Sequence, residues 1–226
     1  MDFGKAFSFV FEDEDWIKKV GIGALLSLTI IGLIPVLGWG LEITKRVIKK
    51  EEEVLPDWDD FGGYITRGFL TFVVAFVYTL PVTLVSGCGS GLTAAASSYG
   101  EDALYTAAGI VTACLSCLTF IYSIAAYMVL PAAIANYAAT DEFGAAFKFG
   151  EIFKMVKENL GTYGMVLLGG IVASLVSGVG VIACGIGIFI TMAYAMAING
   201  HLWGQAYDVS KSASPVDPAE PLPAAD

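Results

Sequence analysis

The chain has 226 residues, with 12 Lys and Arg against 22 Asp and Glu, for a formal net charge of -10. Only 15% of residues are charged and 56% are hydrophobic, whereas a soluble domain carries about 25% charged residues; the mean hydropathy is +0.71. This excludes a disordered chain, a nucleic-acid binder resting on a basic surface and a disulfide-framework secreted domain, and it predicts a polytopic membrane protein.

In chain order, Met1 to Lys19 carries Glu12, Asp13, Glu14 and Asp15 and lacks a basic start or a small-residue cleavage site. It does not read as a signal peptide, so the first apolar block is expected to stay in the mature protein. Phe3, Phe7, Val10 and Phe11 give this segment one apolar face.

Val20 to Leu41 is free of charge. It fits one helix, or a short hairpin bending at Ile34-Pro35 and returning through Trp39 towards Lys45, since proline removes a helix donor. Pro56, Asp57, Asp59 and Asp60 suit a helix start, where carboxylates meet the positive end of the dipole. Trp58, Phe61 and Ile65 form a small apolar face there.

Gly68 to Gly100 is again charge-free. One crossing ending near Val85 is expected, followed by a small-residue loop, Ser86 to Gly91. That loop lacks the pattern and lysine of a phosphate loop. Ala103 to Thr140 holds one crossing with a turn or two to spare, because about 20 apolar residues cross about 30 Å of hydrocarbon. Phe149, Ile152, Phe153, Val156 and Leu160 follow helical spacing, with Lys148, Glu151, Lys154, Lys157 and Glu158 on other faces; this predicts an amphipathic helix in the membrane interface. Gly161 to Gly200 is 40 residues, enough for two crossings, with a turn signal at Gly178-Val179-Gly180. From Ser210, four prolines and no apolar periodicity predict a disordered tail.

The basic residues decide the arrangement. None lies between Gly68 and Phe147 or between Lys157 and Lys211. Basic residues in short loops mark the cytoplasmic side. If the first block is a hairpin, all twelve fall on one side. The expected fold is therefore an all-α integral membrane protein with five to six transmembrane helices in three helical hairpins, with interfacial amphipathic helices and both termini cytoplasmic. Residues 1–209 form one membrane domain and 210–226 the tail. The return arm after Pro35 meets charge at Glu42, which suits a re-entrant helix that goes only part-way. Ala6-Phe7-Ser8-Phe9 recurs as Ala146-Phe147-Lys148-Phe149, with a degenerate version at Asp60 to Tyr64, so the unit of interfacial helix plus hairpin reads as repeated three times.

Few residues carry chemistry. Cys114 and Cys117 share a helix face inside a crossing, but no His, Asp or Glu lies nearby to complete a metal site; they read as small residues where helices touch. Cys88 and Cys184 both fall near the outer face, where a disulfide is permitted, although two free buried thiols are the simpler expectation. His201, followed by Trp203 and Tyr207, reads as an interfacial anchor without a base's partner. No ionisable residue lies deep in a crossing, which counts against ion coupling. Pro35, Pro81 and Pro131 are kinks or helix breaks. Gly169, Gly170, Gly178, Gly180, Gly185 and Gly187, with Ala132, Ala133, Ala135, Ala138 and Ala139, offer small surfaces for close helix approach in lipid.

Certain runs carry a family likeness. These are Phe9 to Lys19, Gly21 to Leu26, Ile34-Pro35-Val36-Leu37-Gly38, Leu55-Pro56-Asp57-Trp58-Asp59-Asp60-Phe61-Gly62, Ala146 to Ile152, and Gly200-His201-Leu202-Trp203-Gly204-Gln205-Ala206-Tyr207. Together they resemble a prokaryotic membrane family known only as a domain of unknown function, number four thousand and thirteen. The resemblance implies a multi-pass bacterial or archaeal membrane protein with no assigned reaction or catalytic residues.

No catalytic, cofactor-binding or metal residue is nominated and no enzyme activity is expected. The expected partners are the lipid bilayer and either a second copy or another membrane complex, not nucleic acid. The expected function is a structural or accessory helical bundle; the alternative is a transporter or channel for a neutral or lipid-like solute.

Overall fold

The computed structural model describes residues 1–182 and 187–213, and within them the chain is all helical. The helices are α1 (Phe3–Ser8), α2 (Trp16–Ser27), α3 (Leu33–Lys49), α4 (Phe61–Ser98), α5 (Asp102–Thr140), α6 (Phe149–Glu158), α7 (Leu160–Ile182) and α8 (Gly187–Ala213). Single 3-10 turns follow α1 at Phe9–Glu12 and precede α6 at Phe143–Phe147. Three helices are long and apolar enough to cross a membrane: Phe61–Ser98, Asp102–Thr140 and Leu160–Gly180.

The first apolar block is a hairpin, but its apex is not where the proline suggests. α2 ends at Ser27 and α3 starts at Leu33, so the chain turns through residues 28–32 and Pro35 sits in the first turn of α3. A proline costs little there because the first-turn N–H groups have no intrahelical acceptor. α2 has 12 residues, about 18 Å at 1.5 Å per residue, too short to cross the bilayer. Leu28, Ile30 and Ile31 at the apex are exposed, the latter two by 87% and 81%.

The Gly/Ser run at residues 86–91 is not a loop. α4 continues through it as a 38-residue helix to Ser98, and α5 returns with 39 residues. In an apolar surrounding a glycine run stays helical, because every N–H and C=O must bond within its own segment. Gly100, in the left-handed region at φ 71°, turns the chain between the two arms. Pro81 and Pro131 lie inside these helices without ending them. Likewise α7 runs through Gly178 and Gly180 to Ile182, so the turn expected there is helix instead; residues 183–186 lie outside the described residues.

Short helices form at two of the three segments expected to be amphipathic, and not at the third. Asp60 caps α4 by accepting the Gly63 N–H at 3.1 Å, so Phe61 opens the long helix directly and the middle copy of the repeat has no helix of its own. α6 buries Ile152, Met155 and Val156 while Phe149, Phe153 and Leu160 stay exposed. α8 continues to Ala213, past the expected start of the tail. Ser210 is buried and its hydroxyl donates to the Ala206 carbonyl at 2.7 Å, a bond that holds the last turns of α8. Residues 214–226 lie outside the described residues.

The core gathers at one end. α3 lies between α4 and α8. A Cβ at Gly38 would strike the Tyr64 carbonyl, and one at Gly68 the Ile34 carbonyl, so α3 and α4 touch backbone to backbone. Gly200 meets Gly40 and Ile43, and Gly204 meets Val47, bringing α8 equally close to α3. The alanines of α5 named above pack here: Ala132, Ala133 and Ala135 are fully buried, beside Tyr163 and Ala206. Gly169 adjoins Leu202 and Gly180 adjoins Thr191, whereas no described residue faces Gly178. Away from this end, the α4–α5 pair stands clear: between residues 79 and 128 only Gly89, Ala96 and Ala108 are buried, and they lie between the two arms.

Candidate functional site

The densest polar chemistry surrounds the segment linking α3 to α4, residues 50–60. Five side chains from three helices and the segment itself hold it. The Trp39 indole N–H donates to the Pro56 carbonyl at 2.9 Å and the Trp58 indole N–H to the Lys19 carbonyl at 2.8 Å. The Tyr64 hydroxyl donates to the Asp57 carbonyl at 2.7 Å. Lys19 Nζ donates to Asp13 at 2.7 Å and to the Leu55 carbonyl at 3.0 Å, with Asp57 at 3.6 Å. Arg46 donates to the Glu53 carbonyl at 2.9 Å. The linking segment is thus a stapled strap: four of these side chains bond its backbone carbonyls, and its own Trp58 reaches out to that of Lys19.

A network of ion pairs lies next to it. Glu42 sits between Arg46, at 3.7 Å, and Arg67, at 3.5 Å; Arg67 also holds Asp60 at 2.7 Å and lies over the Tyr64 ring. Lys45 pairs with Asp141 and Lys50 with Asp208. These pairs join the ends of α3, α4, α5 and α8, so the charge gathers at one end of the bundle. Between the N-terminal segment and the strap lies a cleft of about 380 Å³, lined by Lys5, Glu12, Asp13 and Glu51 to Glu53. Its one lysine is paired with Glu12 at 2.6 Å.

His201 is buried, its ring 4.5 Å from that of Phe9. Gln205 accepts the Asp2 N–H through Oε1 at 2.6 Å, which orients its amide; Nε2 then faces the Asp2 carbonyl at 2.9 Å and His201 Nδ1 at 3.0 Å. A donor there makes Nδ1 an acceptor. The residue expected as an interfacial anchor therefore packs inside, tying α8 to the N-terminus, because α1 and Phe9 cover it.

The cysteines are placed otherwise than expected. Cys88, Cys114 and Cys117 are free and exposed, so the pair on α5 does not sit where helices touch and Cys88 is not buried. The unsupported length of the α4–α5 arm leaves these faces uncovered. Cys184, and with it the possible bond to Cys88, lies outside the described residues. Near Cys88 the two arms enclose a polar notch of about 130 Å³, lined by Ser86, Ser90, Thr112, Ser116 and Thr119. Thr112 donates across it to the Gly89 carbonyl at 3.3 Å, and Ser90, Ser116 and Thr119 donate back to their own helices. Among the described residues no group of three or more His, Cys, Asp or Glu is placed to hold a metal ion.

The face that residue types alone did not single out is on α4. Thr83, Gly87, Gly91 and Ala95 recur every four residues, all exposed, with nothing near the glycines, while Gly89 turns to α5 and meets Thr112. The signal was present as a Gly-x-x-x-Gly run, but reading it as a loop concealed it.

Residues 22–198 match the family described as Protein of unknown function (DUF4013), and the chain belongs to that family. The flanking runs Phe9 to Lys19 and Gly200 to Tyr207 lie wholly outside the matched residues. No curated protein and no solved structure matches the chain.

Proposed function

We propose that this chain is a non-enzymatic, multi-pass membrane protein whose work is helix packing, with itself or within a larger membrane complex. α4, α5, α7 and α8 cross the bilayer as two hairpins. α2 and α3 form a third that enters part-way, its apex of Leu28, Ile30 and Ile31 in hydrocarbon. Both termini and the ion-paired end face the cytoplasm. This arrangement is supported by the restriction of basic residues to that end and by the three apolar helices.

The observation that carries the packing role is the open face of Thr83, Gly87, Gly91 and Ala95 on an arm whose outer faces no other described residue covers. In lipid, association is driven by close van der Waals contact, and small residues at spacing four allow it. Cys88 stands beside this face and is exposed. A bifunctional maleimide applied to gently solubilised native membranes is expected to link Cys88 to a second copy or to a partner. Gly87→Ile with Gly91→Ile is expected to abolish the adduct. A lone monomer at every detergent concentration sinks the reading.

The notch between α4 and α5 is the observation favouring passage of a neutral solute. It is supported by its hydroxyl lining. Vesicles containing the monomeric Gly87/Gly91 variant distinguish the two readings, since solute flux that survives loss of the adduct belongs to the transporter alone.

A further inference from the structure

Six of the twelve basic side chains are committed to carboxylates: Lys5, Lys19, Lys45, Arg46, Lys50 and Arg67. Lys148, Lys154 and Lys157 are different. They fall within ten residues, at the start of α6 and along it, all exposed and none ion-paired among the described residues.

The order of side chains around α6 is informative. At about 100° per residue, Met155, Ile152 and Val156 form one sector, and all three are buried in the bundle. Phe149 and Phe153 come next, 47% and 56% exposed. Lys157 follows, then Lys154; Glu158 and Glu151 complete the circle. A helix at a protein–water surface has two sectors, one buried and one polar. This one has four, in the order protein core, exposed aromatic, cation, anion. That is the order of media met on leaving a bundle through hydrocarbon and headgroups into water. Lysine stems reach along apolar surface to carry their charge to the phosphate level.

We propose that α6 binds the phosphodiester headgroups of anionic phospholipids through Lys154 and Lys157, with Phe149 and Phe153 among the acyl chains beside them. The complementarity is local: the chain as a whole carries -10, so its carboxylates repel an anionic leaflet, and the free lysines of α6 oppose that repulsion where the helix meets lipid. A lysine near such a surface favours binding about fivefold. The inference rests on the membrane location proposed above and not on self-association.

The test uses the full chain in nanodiscs of phosphatidylcholine alone and of phosphatidylcholine doped with phosphatidylglycerol, read by amide hydrogen exchange. Exchange across α6 is expected to slow on the order of tenfold in the anionic discs, to return to the phosphatidylcholine rate in K154Q/K157Q, and to remain slow in K154R/K157R. Because both glutamine substitutions are at exposed positions, α3 and α8 should exchange unchanged in that variant. Equal exchange of the unaltered chain in the two lipids overturns the proposal, without recourse to a variant. So does slowing that survives K154Q/K157Q, or slowing reproduced in phosphatidylcholine discs by inorganic phosphate. A chain that does not enter discs at all removes the membrane reading, and this inference with it.

Discussion

The indole rings of Trp39 and Trp58 stack nearly parallel and offset, their centroids 5.5 Å apart and their planes 12° from parallel. Each indole N–H is also spent on a backbone carbonyl, of Pro56 and of Lys19 respectively. Trp39 is fully buried. One aromatic pair therefore fastens α3, the strap and the start of α2 at a single point. Trp39→Ala is expected to cost about 3–5 kcal/mol through the void it leaves. Trp39→Phe keeps a ring and forfeits the hydrogen bond, leaving the Pro56 carbonyl unpaired for about 1–3 kcal/mol. Thermal unfolding in detergent measures both; equal losses for the two variants would contradict this division.

Lys19 presents a separate case. Its side chain is 7% exposed and faces Asp13, at 15%. Removing the cation alone strands a carboxylate and a carbonyl, so Lys19→Met is expected to destabilise by about 2–4 kcal/mol. Adding Asp13→Asn to the same chain should recover part of that loss, because an uncompensated charge no longer remains. A double variant less stable than Lys19→Met alone would refute the account.

Gly68 and Gly38 bring two backbones into contact. Gly68→Ala would drive a methyl group into the Ile34 carbonyl, which cannot yield as a side chain would. The expected cost is about 1–3 kcal/mol. By contrast, Gly62→Ala, in the same helix with nothing near its Cβ, is expected to be neutral or better. The comparison is read as the difference in unfolding midpoint between the two variants; identical midpoints would discount the backbone contact.

Orientation is testable from outside the cell. With Cys88, Cys114 and Cys117 replaced by serine and Cys184 by alanine, single cysteines at Lys5, Ala95 and Lys148, all exposed, are challenged with an impermeant maleimide. Ala95→Cys is expected to react in intact cells, and Lys5→Cys and Lys148→Cys only after permeabilisation. Reaction of Lys5→Cys and Lys148→Cys from opposite faces would discard the three-hairpin plan while leaving a membrane protein.

The apolar blocks, the first hairpin, the Asp60 cap and the amphipathic α6 were legible because each depends on residues close in sequence. Two kinds of feature were not. Glycine-rich runs at residues 86–91 and 178–180 look like turns by the rules of aqueous proteins, yet both are helical, since a backbone surrounded by apolar groups has no partner but itself. The second kind depends on which helices touch. Lys19 looks like a surface charge until Asp13 and the Leu55 carbonyl enclose it. Gly38, Gly40, Gly68, Gly200 and Gly204 become the closest contacts only once α3 is set between α4 and α8. His201 was recognisable as structural, but its cover by Phe9 joins residues nearly two hundred positions apart, beyond any local pattern.

The unequal reach of the hairpins has a mechanical consequence. α4 has 38 residues, a rod about 57 Å long, against the 23 of α7. The rod is clamped part-way along, where Tyr122 donates to the Tyr78 carbonyl and Tyr78 to that of Ala146, and beyond that point it stands clear of the bundle with α5. The pair behaves as a cantilever: a pivot of about 5° at Tyr78 carries the tip at Ser98, about 30 Å away, through about 3 Å. Whatever grips the glycine face holds the distal segment of that beam, so a neighbour seated there would convert angular play at the root into a fixed spacing between molecules.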